Sequence, residues 1–106
     1  MTGAEPFELR VSDVMDVPLR GLLLRLKLVS GKPRTADIAV GRKLTVKAVN
    51  GAEQTVRIVA HSITGGNVSQ DRLDRVRELD IVVTPEGDEE LRPIDFGNTV
   101  RGPVSE

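Results

Sequence analysis

From Arg20 to Val29 the chain alternates. Leu22, Leu24, Leu26 and Leu28 share one parity with Arg20, while Gly21, Leu23, Arg25, Lys27 and Val29 take the other. Period two, with one greasy side and one side carrying charge, predicts a β-strand lining a core. A helix over the same stretch would spread Leu22, Leu23, Leu24, Leu26 and Leu28 around too much of its circumference, with Gly21 near its start, so the strand is the better reading. Similar alternation recurs on both sides. Phe7, Leu9 and Val11 against Glu8, Arg10 and Ser12 predict a first strand running to Val14, with Met15–Pro18 as its connection. Asp37–Val40 reads as a short extended segment before a turn at Gly41, and Leu44, Val46 and Ala48 mark the next strand. Asn50-Gly51 is the strongest hairpin signal, because both residues tolerate positive φ. The return strand is expected over Gln54–Ile63, closed by Thr64–Asn67.

The stretch after Ser69 differs. Leu73, Val76 and Leu79 recur every third residue behind a residue able to cap, which fits a short helix or a structured loop. Asp80–Thr84 is a β-branched strand, Pro85–Glu90 a polar turn, and Leu91–Val100, with Ile94, Phe96 and Val100, a last strand; residues 1–6 and 101–106 are expected to be flexible. About six short strands separated by turn signals predict an all-β fold. The chain should form a single domain over its 106 residues, a small closed or nearly closed antiparallel β-barrel.

Composition narrows how such a barrel is filled. Phe7 and Phe96 are the only aromatics, so Val, Leu and Ile must supply the core. With no cysteine, neither a disulfide nor a thiolate nucleophile or metal ligand can form. No secretory leader and no membrane-length apolar run is evident, so a cytoplasmic protein without membrane contact is expected.

The net charge of −1 conceals an uneven distribution. Residues 17–50 hold Arg20, Arg25, Lys27, Lys32, Arg34, Arg42, Lys43 and Lys47 against one acid, Asp37, while both flanking segments are acidic. Such a basic middle is either a footprint for phosphate or a charge set balanced across a small barrel. Catalytic chemistry finds little support. His61 is the only histidine, and no nucleophile-elbow spacing surrounds Ser62 or Ser69. Asp71, Asp74, Glu78 and Asp80 are interleaved with Arg72, Arg75 and Arg77, which predicts ion pairs on a solvated face rather than a cation site. No metal or cofactor is expected. A flavin-binding barrel would need aromatic residues that this chain lacks.

Several motifs in order carry a resemblance. Phe7, Val11-Ser-Asp-Val14, Leu19-Arg-Gly21, the apolar strand ending at Gly31, Ile38-Ala-Val-Gly41 and Leu73-Asp-Arg-Val-Arg-Glu-Leu-Asp-Ile81 together resemble the β-barrel second domain of translational GTPases of the elongation factor Tu type. The likeness spans about residues 7–84. It departs at Leu19, Leu26 and Leu79, each where the family has Gly, and at Arg42, where the family's turn has an acid. Arg75 stands where a family Glu would help hold the aminoacylated tRNA end, whereas Arg77 keeps the family's Arg. No Gly-rich phosphate loop with Lys-Ser/Thr is present in these residues, so a barrel without a GTPase domain is expected.

The resemblance implies a stand-alone, non-catalytic binding module for RNA, the ribosome or a translation-related protein. Arg25, Lys27, Arg42, Lys43 and Arg77 are the expected electrostatic contacts, the first four lining one barrel surface with Arg20 and Lys47. No aromatic interleaves them, so base stacking is not available to this surface. The competing expectation is a protein–protein or homo-oligomeric barrel that binds no nucleic acid, with edge strands or residues 64–79 as its interface.

Overall fold

The structure is a computed structural model and describes residues 6–61, 70–86 and 94–104, with the backbone alone for residue 72. Alternation builds the first wall. Strand β1 (Phe7–Val17) buries Phe7, Leu9 and Val11. A bulge between Val11 and Asp13 then shifts the parity by one, so that Val14 packs against the core. Ser12, the extra residue, donates its hydroxyl to the Arg25 carbonyl at 3.1 Å. Met15–Val17 continue this strand and are not a connection. The turn is confined to Pro18–Arg20, where the Arg20 N–H meets the Val17 carbonyl at 3.0 Å.

Strand β2 (Gly21–Ser30) carries the leucine alternation as expected. Leu24 and Leu26 are fully buried, Leu22 and Leu28 pack against the core, and Arg25 and Lys27 point outward. After β2 the structure departs from the expected strand at Asp37–Val40. Thr35–Ile38 is a 3-10 turn. The Asp37 carboxylate accepts the Arg34 N–H at 2.8 Å, while the Asp37 N–H bonds the Arg34 carbonyl, also at 2.8 Å. This reciprocal clasp beats extension because a buried carboxylate must be hydrogen-bonded, and it drops Ile38 into the core while leaving Val40 exposed.

Strands β3 (Lys43–Lys47) and β4 (Glu53–Ala60) form the hairpin signalled by Asn50-Gly51. The Asn50 side chain accepts the Ala52 N–H at 3.0 Å, and the Gly51 N–H reaches the Ala48 carbonyl at 2.9 Å. The return strand ends at Ala60, short of the expected Ile63; Ser62, Ile63 and the loop Thr64–Asn67 lie outside the described residues, as does the Ser69 cap. Helix α1 (Gln70–Val76) settles the helix-or-loop alternative, burying Leu73 and leaving Val76 exposed. Strand β5 (Glu78–Pro85) begins two residues earlier than expected.

The last strand is β6 (Thr99–Gly102), with residues 96–97 in a turn before it, rather than a strand over Leu91–Val100; residues 91–93 lie outside the described set. Asn98 holds that turn, its side-chain oxygen accepting the Asp95 N–H at 3.0 Å. Arg101 and Gly102, expected to fray, pair in register with Glu8 and Phe7.

Among the described residues, six strands close in the order β1-β2-β5-β4-β3-β6, with β6 returning to β1, and every neighbour is antiparallel. The fold is therefore an all-β, closed six-stranded barrel, and closure removes the exposed edges that an open sheet would present. Its interior is aliphatic apart from Phe7. Ile38, Leu73 and Ile94 join that core from outside the six strands. No helix among the described residues is long and apolar enough to cross a membrane.

Candidate functional site

Strand order decides which charged side chains share a surface. β2 and β3 are three places apart in the ring whichever way it is counted, so they form opposite walls. Arg25 and Lys27 lie on β2, and Arg77 immediately precedes β5, its neighbour. Arg42 and Lys43 lie at the start of β3, across the barrel. Arg25 and Lys27 are thus parted from Arg42 and Lys43, with which they were expected to share a surface, and Arg77 falls on the β2 side.

On the β2 wall, register pairs separate Arg25 from Lys27 electrostatically. Arg25 stands between Asp13 of β1 and Asp80 of β5, and its Nε donates to Asp80 Oδ1 at 3.2 Å. That hydrogen bond, reinforced by the Asp80 charge, raises the Arg25 pKa above the ordinary arginine value. The charge is already answered from within the chain. One row along, Lys27 stands between Arg10 and Glu78, a row with two cations and one acid.

Arg77 is placed by its backbone. At φ 61° it ends α1: its N–H bonds the Leu73 carbonyl at 3.1 Å and its carbonyl accepts the Leu28 N–H at 2.8 Å. The side chain then borders a cleft of about 400 Å³ with Leu28, Gly31, Lys32, Pro33, Leu73 and Asp74. Gln70 ties the helix to the facing loop. Its Oε1 accepts the Thr35 N–H at 3.0 Å, and its Nε2 donates to Asp74 at 3.0 Å and to the Pro33 carbonyl at 3.3 Å. Neither Gln70 nor the left-handed Arg77 has a signal in the sequence. Lys32 was visible only as a member of the basic segment, and Arg10 only as an outward position of the first strand.

The opposite wall uses its arginines internally. Arg42 Nε donates to the Ala36 carbonyl at 3.0 Å, tethering the 3-10 turn to β3. Lys43, half-buried, faces Arg57 across the hairpin. Arg57 grips both carboxylate oxygens of Glu86 at 3.0 Å and bonds the Gly41 carbonyl at 2.7 Å. The hydrogen bonds from Arg57 lower the Glu86 pKa, with help from the Lys43 charge.

The acids around α1 enter ion pairs in part: Asp71 holds Arg75 at 2.8 Å and Asp80 holds Arg25. His61, just past β4, is half-buried, with Nε2 2.7 Å from the Ile38 carbonyl. A carbonyl only accepts, so Nε2 carries the proton. Nδ1 is buried and has no hydrogen-bond partner among the described residues. No nucleophile is placed beside it by any described hydrogen bond.

No protein-family model, curated protein or solved structure matches the chain.

Proposed function

We propose that this chain is a translation-protein barrel of the elongation factor Tu second-domain type, acting as a non-catalytic module that binds RNA through the corner between β2 and α1. The observation that carries this reading is the contrast in ion pairing. Among the described residues Arg25, Arg34, Arg57, Arg75 and Arg101 each pair with a carboxylate. Arg10, Lys27, Lys32 and Arg77 form no ion pair among the described residues; Lys32 and Arg77 line the cleft, and Lys27, next along β2 from its lining residue Leu28, faces Arg10 on β1. Unanswered cations on a rigid wall are what phosphate contact requires, since each releases condensed counterions on binding. Lys27 and Arg77 remain from the expected set; Arg25, Arg42 and Lys43 give way to Arg10 and Lys32. The family type is supported by Leu19. It stands where the family pattern has Gly, and its φ of 68° is a conformation glycine favours.

Without aromatic side chains at this corner, binding is electrostatic and largely indifferent to base identity. Four phosphate contacts give a log–log salt slope of about −3 on single-stranded RNA, or roughly a 50-fold loss between about 50 and 200 mM salt. The test is fluorescence anisotropy with a labelled single-stranded RNA. Lys27→Gln combined with Arg77→Gln should weaken binding and halve the slope, whereas Lys43→Gln combined with Lys47→Gln should leave both unchanged. Equal loss from both pairs, or loss from neither, overturns the reading.

A further inference from the structure

The turn between β1 and β2 holds a residue that folding does not explain. Leu19 is fully exposed and sits at φ 68°, a conformation that Gly or Asn adopts at little cost and leucine resists. Two local rules are broken at once, and such places are where a chain meets something outside itself. Other connections at this end share the pattern. Val49 follows β3 into its hairpin at 85% exposure, and Phe96, the only aromatic besides Phe7, is 74% exposed in the turn before β6. Near these residues in the chain, Asp13, Asp16 and Asp95 are exposed carboxylates, against one exposed cation in the tip, Arg20.

The complement is on the same molecule at its other end. The cleft of about 400 Å³ has Leu28, Pro33 and Leu73 as apolar lining and Lys32 and Arg77 as cations without ion pairs among the described residues, against one acid, Asp74, which accepts a hydrogen bond from Gln70. That volume suits a projecting side chain with its backbone. β2 begins at the tip and ends at the cleft, ten residues or roughly 30 Å of strand later, so no copy can fill its own cleft.

We propose that the chain associates head to tail, with the Leu19 tip of one copy seated in the β2–α1 cleft of the next. Asp16 is carried towards Lys32 and Arg77, and the leucine covers the apolar lining. The contact joins two different surfaces, so it propagates into open chains rather than stopping at a symmetric dimer. It is small, so it forms only at high protein concentration.

Sedimentation velocity on the full chain without RNA tests this over roughly 10 µM to 1 mM. The wild type should show a mass that rises continuously with concentration. Leu19→Asn, which suits the turn better than leucine, and Arg77→Glu should each stay monomeric, with the far-UV circular dichroism of the wild type. Mixed one to one, the two variants should give a species of twice the monomer mass and nothing larger, because Leu19→Asn retains an intact cleft and Arg77→Glu an intact tip. A wild type that stays monomeric throughout, variants that associate as the wild type does, or a mixture that stays monomeric overturns the proposal. Because RNA is absent, the result does not depend on whether the corner also binds phosphate.

Discussion

Replacing Gly21 by alanine tests how the barrel closes at the start of β2. Gly21 has φ 135°, and a Cβ built there would fall inside the van der Waals envelope of the Val83 carbonyl oxygen, with Thr84 Cγ2 only 3.1 Å away. The obstacle is backbone of the neighbouring strand, so no side-chain rotation relieves it. Leu22 pairs with Val83 in the next position, and moving either strand disturbs that register. The backbone conformation costs alanine about 1–2 kcal/mol, and displacing a packed strand adds about 1–3 kcal/mol. Loss of unfolded-state freedom returns about 0.4–1 kcal/mol. The net destabilisation is about 3 kcal/mol, or roughly 15 °C in Tm for a domain of this size. Gly51→Ala is the control, because φ there is 93° but no atom lies within 4 Å of an added Cβ. Only conformational strain applies, offset by the same entropy, leaving about 1 kcal/mol. Urea unfolding followed by far-UV circular dichroism suits a chain with no Trp or Tyr. Stabilities for the two variants within about 0.5 kcal/mol of each other would falsify the close approach of β2 to the Val83 carbonyl.

The parity of β2 and the Arg57–Glu86 grip give two further expectations. Leu26→Ala empties a fully buried position between Val11 and Leu79 and should cost about 3 kcal/mol in urea unfolding, against about 1 kcal/mol for Leu23→Ala on the outer parity; equal costs would refute the inward alternation. The Arg57 hydrogen bonds lower the Glu86 pKa, so the stability they add is fully present above the ordinary value of 4.5 and lost as pH falls through the lowered one. Urea midpoints measured between about pH 5 and pH 3 should therefore fall less steeply for Glu86→Gln than for the wild type, and parallel profiles would count against the grip.

The barrel was legible wherever a segment's own period decided its fate. Leu22 to Leu28 alternate cleanly, and the positions of that parity face the interior because a strand can do nothing else with such a pattern. Asn50-Gly51 encodes its hairpin in two residues. Misreadings occurred where a single side chain overrode the period. Asp37 matches the alternation of a strand, but its carboxylate closes on the Arg34 N–H and turns the chain. The bulge after Val11 hides the continuation of β1, since it moves the next core-facing side chain to Val14, off the parity that Phe7, Leu9 and Val11 set. The last strand was misplaced because its short length, Thr99–Gly102, carries one fully buried apolar side chain, Val100. Its place in the sheet comes from partners on β1 and β3 that are remote in sequence.

The candidate site was less legible, for a reason that follows from the ring order. A basic residue's availability depends on which strands flank it, and in this barrel the neighbours of β2 are β1 and β5, separated from it by one turn and by the rest of the fold. Arg25 and Lys27 are two residues apart and alike in sequence, yet the register sets two acids beside one and a cation and an acid beside the other. Arg42 and Lys43 belong to the same basic segment as β2, but the chain reaches β3 only after crossing the end of the barrel, and the ring places β3 diametrically opposite. Counting charge along the chain therefore groups residues that the ring places on different surfaces. Lys32 shows the converse. It sits in a loop with no periodic pattern, and it comes to line a cleft because Gln70, nearly forty residues on, fastens α1 against that loop.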